Sequence, residues 1–254
     1  MVTMKRTTIT EQTSTLEVEH LGARKLLTLE NIPLLVKVKR EDGKVGSTHP
    51  CTPIFGPDTN NLFGLNQHGN TRNQRTQVKK LDANQIEITH TIKDPNYPKG
   101  VDFQQHLTLE KNLFKLRTRH TNTGETSVPV NSGEHCYFDA PEGFQGTTVN
   151  EQDITQIIEN HKDGVPVMLQ KINVIHIPGK PKIILEQEGY NFAMLWVGSS
   201  PSTGEKDTNY VCIEPVESNP QSNYFGSEES FIDPGMSRMA MFSLALESAN
   251  TSAD

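Results

Sequence analysis

Apolar and polar residues alternate with a period of two along much of the chain. In residues 15–20 and 85–90, for example, every second side chain is apolar. This period turns one face of a strand to a core and the other to solvent, so it predicts half-buried antiparallel strands.

The clearest predicted hairpin joins residues 103–110 to residues 113–119 through Lys111 and Asn112, and Asn112 suits the turn. Several of the later strands are more continuously apolar, which predicts burial on both faces. These later strands are predicted at residues 171–177, 182–188, 191–198, 210–213 and 238–246.

Little of the chain has a helical period, and only residues 150–158 are compatible with a short helix. Gly, Pro, Asn and Thr punctuate the sequence at intervals that fit connections between strands. Residues 197–209 predict a surface loop, and residues 248–254, which lack large apolar side chains, predict a disordered tail. The expected fold is all-β: a large antiparallel β-sandwich that spans residues 1–254 as one domain.

Composition and charge narrow the possible functions. Hydrophobic residues form 33% of the 254-residue chain, enough for a sizeable core. The net charge of −7 argues against a nucleic-acid partner, which would need a basic face. No apolar run approaches the roughly 18 residues of a membrane helix, and the N-terminus lacks the apolar segment of a signal peptide, so we expect a cytoplasmic protein without membrane contact. The three cysteines, at no metal-like spacing, are expected to be reduced and partly buried.

Three polar segments, far apart in sequence, carry side chains that bind ligands or transfer protons. They are the loop His68-Gly69-Asn70-Thr71-Arg72-Asn73, the segment Glu134-His135-Cys136-Tyr137-Phe138, and the segment Cys212-Ile213-Glu214-Pro215. The loop combines a titratable ring, a fixed cation and two amides, and the other two segments supply an acid and a base. Together they suggest a sugar site.

Local sequence predicts how the proposed acid and base are oriented. Alternation along a strand places His135 and Tyr137 on one face, with Cys136 and Phe138 on the other. The residue before a proline favours extended backbone, which would fix the direction of the Glu214 carboxylate. A single histidine or glutamate on a strand is more often structural, so the catalytic interpretation depends on the two residues meeting.

The order and spacing of these segments resemble the aldose 1-epimerase (galactose mutarotase-like) superfamily, nearest its hexose-6-phosphate mutarotase-like branch. Each shared motif alone is weak, whereas their common order is fairly specific. The resemblance covers most of the chain from about Gly22 onward. The motifs are His-Gly-x-x-Arg-Asn at 68–73, His-x-Tyr-Phe at 135–138 after Asn-Thr-Gly at 122–124, Cys-x-Glu-Pro at 212–215, Pro-x-Phe-Gly at 53–56, and Pro-Gly at 234–235.

The resemblance implies interconversion of the α and β anomers of an aldose, with no cofactor or metal. Ring opening removes the proton of the anomeric hydroxyl and protonates the ring oxygen, so one base and one acid suffice. The resemblance assigns the base to Glu214 and the acid to His135. His68 would orient a hydroxyl, and Arg72 would hold substrate oxygens.

Two further residues complete the expected sugar site. Asn73 belongs to the same loop as Arg72. Trp196, the only tryptophan, could stack on a sugar face, although its apolar neighbours are equally compatible with core packing. Arg75 is an alternative to Arg72.

The chain departs from the branch at three places, and these departures leave the substrate open between a free sugar and a sugar phosphate. It lacks the Arg-Gly-Gly-x-Pro run before Pro53, the Asn-Pro pair after Trp196, and any Asp-Arg pair. Lys44 or His49 could replace the missing arginine as a weaker anion ligand.

Two other classes of function remain open at this stage. A metal-dependent sugar-modifying enzyme could use His68, His135 and Glu214 as ligands. A non-catalytic carbohydrate-binding protein of the same fold is the other alternative. The sequence does not determine the oligomeric state.

Overall fold

The computed structural model describes residues 5–160, 165–168, 173–220, 222 and 224–247, with only the backbone for 165–168 and 173. The predicted disordered tail at 248–254 and the first two residues of the strand predicted at 171–177 lie outside these ranges. Within the described residues no helix has the length and hydrophobicity needed to cross a membrane.

Strands dominate the described residues, as the period of two predicts. In chain order they are β1 (Arg6–Glu11), β2 (Ser14–Glu19), β3 (Lys25–Leu29), β4 (Ile32–Leu35), β5 (Lys37–Lys39), β6 (Val45–Ser47), β7 (His49–Cys51), β8 (Gln77–Asp82), β9 (Gln85–Thr91), β10 (Val101–Leu109), β11 (Leu113–Asn122), β12 (Val128–Pro129), β13 (Gly133–His135), β14 (Tyr137–Asp139), β15 (Thr148–Val149), β16 (Gln152–Asp153), β17 (Val165–Met168), β18 (Asn173–His176), β19 (Ile183–Glu188), β20 (Phe192–Trp196), β21 (Tyr210–Val216), β22 (Phe231–Ile232) and β23 (Ser237–Leu246).

The helices are short. One α-helical turn, α1, spans Thr155–Glu159, and two 3₁₀ turns span Thr71–Asn73 and Glu228–Ser230. The segment predicted as a possible helix, 150–158, is therefore helical only at its end, because its middle pairs as β16 with β15.

Two large antiparallel sheets form the sandwich. The first has the strand order β1-β2-β3-β4-β14-β21-β13-β7, with β20 paired to β21 and β17 paired to β20. The second has the order β16-β15-β18-β19-β23-β11-β10-β9-β8. The predicted all-β sandwich is confirmed.

The strand predictions agree well with the observed register. The hairpin turns at Lys111-Asn112, with Leu109 paired to Phe114. The strand predicted at 210–213 continues to Val216 as β21 and is buried along its whole length. In β19 only Ile183 and Leu185 are buried, and the other residues are partly or fully exposed. The loop predicted at 197–209 is observed between β20 and β21.

One apolar core fills the space between the two sheets. It joins first-sheet residues such as Leu16 and Ile213 to second-sheet residues such as Phe103 and Phe242. The three cysteines are reduced, as predicted, but fully rather than partly buried.

Strands β13, β14, β20 and β21 send side chains in both directions. On one face Cys136, Phe138 and Ile213 enter the core. On the other face Tyr137 packs with Cys212 and the half-buried Trp196 in a separate cluster. The predicted separation of His135 and Tyr137 from Cys136 and Phe138 thus follows the two faces of the sheet.

A fully buried ion pair lies on the core side of the first sheet, directly behind this region. Lys25 Nζ lies 2.5 Å from Glu134 Oε1, and both side chains are completely inaccessible to solvent. Lys25 Nζ also donates to the Ala23 carbonyl, and the Gln105 amide donates to Glu134 Oε2 at 2.9 Å. The pair joins β3 to β13, the strand that carries His135.

Lys25→Met should lower the free energy of unfolding by about 3–5 kcal/mol, because it leaves the Glu134 carboxylate buried without its cation. The double variant Lys25→Met/Glu134→Gln should recover much of this loss, since a neutral amide still accepts from Gln105. Urea unfolding of the three proteins provides the measurement.

The surface pair Lys115–Glu110, with a 3.0 Å contact and both side chains about half exposed, is the matched control. Lys115→Met should cost at most about 1 kcal/mol. If Lys25→Met and Lys115→Met lose the same free energy of unfolding, the buried pair stabilises the protein no more than the surface pair does.

Candidate active site

The register of β21 places Glu214 directly opposite His135. Tyr137 pairs with Cys212, and Gly133 pairs with Val216 in the same register. The ladder is interrupted between them at Cys136. Directly opposed residues on one face of an antiparallel pair are close neighbours, and His135 Nδ1 lies 3.3 Å from Glu214 Oε1.

The His135 ring is held by other rings on several sides. It stacks on Tyr137 with centroids 4.8 Å apart, and on His49 with centroids 5.0 Å apart. The rings of His68 and Trp196 meet it edge-on at 5.4 and 5.7 Å. This packing fixes the imidazole while leaving Nδ1 without an aligned hydrogen bond among the described residues.

The loop His68–Asn73 lies beside this ring cluster. The Gly56 amide donates to His68 Nδ1 at 3.1 Å, so the ring proton of neutral His68 is on Nε2. Thr71 begins the 3₁₀ turn that holds Arg72 and Asn73, and its hydroxyl donates to the Thr52 carbonyl at 3.3 Å. The loop is thus anchored to the segment that precedes it.

Gly69 has a packing role in this loop. Its φ is +63°, and a Cβ there would lie 2.2 Å from the Thr52 carbonyl oxygen. Glycine at this position lets the loop approach Thr52 closely.

All six residues predicted for the site line one cleft with a volume of about 620 Å³: His68, Arg72, Asn73, His135, Trp196 and Glu214. Lys44 and His49, the possible anion ligands, line it as well. Arg75 lies in a different groove, on the second sheet. This placement favours Arg72 over Arg75.

Two arginines of the cleft were missed by sequence reasoning. Arg24 and Arg40 line it with Lys44 and Arg72. The Arg40 guanidinium lies 4.6 Å from the centre of the Trp196 ring and pairs with Asp42 at 2.8 Å. No sequence motif marked either arginine, because the first sheet and the β5–β6 hairpin bring them in from separate segments.

The cleft is therefore rich in positive charge. Among the described residues, Arg24 and Arg72 have no carboxylate within ion-pair distance, and Arg40 Nε is buried without a hydrogen-bond partner. Glu214 is the one carboxylate in the described lining. On a chain of net charge −7, such a local excess of cations can attract an anionic ligand.

Burial controls the ionisation of the central groups. It raises the pKa of Glu214 well above its usual range. Burial, with the nearby His49, His68, Arg72 and Arg40, lowers the pKa of His135 well below its usual range. Burial thus favours a carboxylic acid beside a neutral imidazole.

The other two histidines of the cleft are also held neutral. Burial is the main cause, and the positive charge of Arg72 adds to it. The pKa of His49 falls to about 3, and that of His68 also falls to about 3. His49 Nδ1 donates to the Ser47 carbonyl at 2.8 Å, which leaves its Nε2 as a free acceptor.

The sequence model of the aldose 1-epimerase family matches residues 38–171, more than half of the 254-residue chain. The chain therefore belongs to the aldose 1-epimerase family. A search of curated protein sequences finds no match.

Solved structures of related proteins share the fold. They include the Slr1438 protein from Synechocystis sp. PCC 6803 (16% identity, 96% of each chain covered, TM-score 0.78). A galactose mutarotase related enzyme from Lactobacillus acidophilus is 16% identical over 96% of this chain and 98% of its own, with a TM-score of 0.77. A galactose mutarotase-like protein from Clostridium acetobutylicum is 15% identical over 96% and 95%, with a TM-score of 0.71. At these identities the likeness shows the galactose mutarotase-like fold, and the hexose-6-phosphate branch stays a prediction.

The imidazole ¹⁵N signals of His49 and His68 should not shift between pH 7.5 and pH 5, because both rings stay neutral in the folded protein. In urea the same residues should titrate near 6.5. A depressed folded pKa stabilises the protein above the unfolded pKa, and this contribution is lost as the pH falls from about 6.5 towards 3. NMR spectra, assigned with His49→Gln and His68→Gln variants, provide the measurement. Titration of either ring near pH 6.5 in the folded protein would contradict its buried, neutral state.

Proposed function

We propose that this protein is an aldose 1-epimerase that interconverts the α and β anomers of an aldose or aldose 6-phosphate by acid–base ring opening. The observation that carries the proposal is the pair His135–Glu214, whose Nδ1 and Oε1 atoms are 3.3 Å apart in a cleft of about 620 Å³. Family membership supports the same activity.

In the proposed reaction Glu214 is the base and His135 the acid. Glu214 takes the proton of the anomeric hydroxyl, the C1–O5 bond breaks, and His135 gives a proton to the ring oxygen. Rotation about the C1–C2 bond then presents the other face of the aldehyde. The hydroxyl attacks that face, its proton returns to His135, and Glu214 returns its proton to the new anomeric oxygen, so no atom is gained or lost.

The pair needs one proton in total. Burial favours that proton on Glu214, so sugar binding has to move it to His135. Among the described residues no group donates a hydrogen bond to the Glu214 carboxylate, and burial alone raises its pKa. Sugar hydroxyls would supply such donors, which lower a carboxyl pKa and favour the base form.

The charges of the cleft support the phosphorylated substrate over the free sugar. Arg24, Arg40, Lys44 and Arg72 surround it, and guanidinium groups match the geometry of phosphate oxygens. Arg40 reaches the cleft from the loop between β5 and β6, so it provides a guanidinium although the usual Arg-Gly-Gly-x-Pro run is missing. Trp196 also lines the cleft, with the Arg40 guanidinium over one face of its ring.

Glu214→Gln and His135→Asn should each slow anomer exchange by roughly 100- to 10,000-fold, because each removes one of the two proton-transfer groups. Two-dimensional NMR exchange or optical rotation of freshly dissolved hexoses and hexose 6-phosphates measures the rate. The phosphorylated sugars should exchange faster than the free ones.

Glu217→Gln is the matched control. Glu217 is also buried, and it directly follows β21, the strand that carries Glu214. Burial raises the pKa of its carboxyl group to about 7. This carboxyl group accepts a hydrogen bond from the Ser132 hydroxyl, outside the cleft. This variant should keep the rate of anomer exchange. If the wild-type protein binds sugars but accelerates no anomer exchange, the non-catalytic binding alternative replaces the epimerase.

The dependence of kcat/KM on pH should be bell-shaped. Activity falls at low pH when both groups are protonated, and at high pH when both have lost their protons. The two limbs belong to the pair and not to single residues, because the groups are strongly coupled. The pH profile of the remaining activity of Glu214→Gln should lose one of its two limbs. If Glu214→Gln and His135→Asn both keep the two limbs unchanged, the groups that titrate are not Glu214 and His135.

A further inference from the structure

A thiol lies close to the proposed acid–base pair. Among the described residues, one set of three side chains with metal-ligating atoms comes together, His135, Cys212 and Glu214, and one such atom from each lies within 4.8 Å of the others. All three are buried. The triad considered from sequence, with His68, is not the one that assembles.

Strand geometry explains why these three meet. Cys212 and Glu214 are two residues apart on β21 and therefore face the same way. His135 lies opposite Glu214, and Tyr137 is paired with Cys212 on the neighbouring strand. The sulfur consequently lies on the same face of the sheet as the imidazole and the carboxylate, within 4.8 Å of a ligand atom of each.

The donor atoms are free to take a ligand. His135 Nδ1 is buried without a hydrogen-bond partner. Its distance of 3.3 Å from Glu214 Oε1 is close to the roughly 3.4 Å that separates two ligands on a tetrahedral ion with bonds of about 2.0–2.1 Å. Only the thiol, whose sulfur lies within 4.8 Å of the other two ligand atoms, has to move closer.

The donor set selects the metal. A thiolate, an imidazole and one carboxylate suit Zn²⁺, whereas Mg²⁺ and Ca²⁺ require more oxygen ligands. His135 and Glu214 both line the cleft, so the fourth position of a tetrahedral ion is accessible to water. Burial raises the pKa of the Cys212 thiol, so the ion must displace its proton to bind sulfur.

We propose that His135, Cys212 and Glu214 form a Zn²⁺ site that inhibits the enzyme. A bound ion would occupy the lone pair of His135 and the carboxylate of Glu214, and so remove both proton-transfer groups at once. Inhibition rests on the proposed epimerase activity, whereas the metal site itself does not.

Metal binding can be tested without any enzyme assay. Titration of the full chain with Zn²⁺ against a chromophoric chelator should show one ion per chain. The Co²⁺ form should show the near-ultraviolet absorption that arises from charge transfer between thiolate sulfur and cobalt. Binding without this absorption would overturn the site, as would no binding at all.

Cys212→Ala should weaken Zn²⁺ binding by more than the roughly 10- to 100-fold that loss of an outer-shell partner costs, and should abolish the sulfur absorption. Cys212→Ser tests the same point with a closer volume. Cys136→Ala is the matched control, because Cys136 is equally buried but faces the core. Equal affinity in Cys212→Ala and Cys136→Ala would contradict the assignment.

Inhibition is the second arm of the experiment. Equimolar Zn²⁺ should stop anomer exchange by the wild-type protein, a chelator should restore it, and Cys212→Ala should stay active with zinc present. Activation by zinc would overturn inhibition and favour a metal-dependent enzyme. Zinc binding by a protein that turns over no sugar would support the metal site while rejecting both the inhibition and the proposed epimerase function.

Discussion

The buried ion pair between Lys25 and Glu134 is the constraint on which the candidate site depends. Two charges without solvent are costly unless each is fully compensated, and here Ala23, Gln105 and the partner itself supply the compensation. Because Glu134 is held on the core side of its strand, the next residue must point the other way. That residue is His135, so the core fixes the direction of the proposed acid.

The cleft side of the same sheet leaves several polar groups unpaired. His135 Nδ1, His49 Nε2 and Arg40 Nε are all buried without hydrogen-bond partners in the described part of the chain. Unpaired buried polar groups cost stability, and the core side also has one, Gln105 Oε1. The three unpaired groups of the cleft differ in that they surround a cavity, where a ligand rich in hydroxyl or anionic oxygens would provide their partners.

Much of the fold could be predicted because alternation is a local property. The hairpin of β10 and β11 and the long strand β23 follow from residues within each segment. The facing of His135 away from Cys136 was equally local. The pairing of His135 with Glu214 was not, because it depends on the register between strands separated by more than 70 residues, and only the resemblance to a family indicated it.

The residues that sequence reasoning missed share a physical cause. Lys25 lies in a strand as an ordinary charged residue, and charged residues are almost always exposed unless paired, so nothing local marks its burial. Arg24 and Arg40 belong to polar stretches that predict solvated loops. Arg24 reaches the cleft from the residue before β3. Arg40 reaches it through the packing of the β5–β6 hairpin, where Gly46 lies so close to Tyr137 that a Cβ would come within 2.3 Å of its ring.

β21, the strand that carries Glu214, also places the side chain of Cys212, two residues earlier, on the same face of the sheet. Position 212 faces the floor of the cleft, against Tyr137 and Trp196, where a large residue would displace those rings and a charged one would lack a partner. A protonated cysteine is small and apolar enough to fill this space. The cysteine at position 212 also places a sulfur ligand next to the His135 imidazole and the Glu214 carboxylate. The residue that fills the space beside the acid–base pair therefore completes the donor set of a zinc site. A serine or alanine at 212 would avoid that affinity, but serine would bury a hydroxyl and alanine would leave a small cavity beneath the two rings.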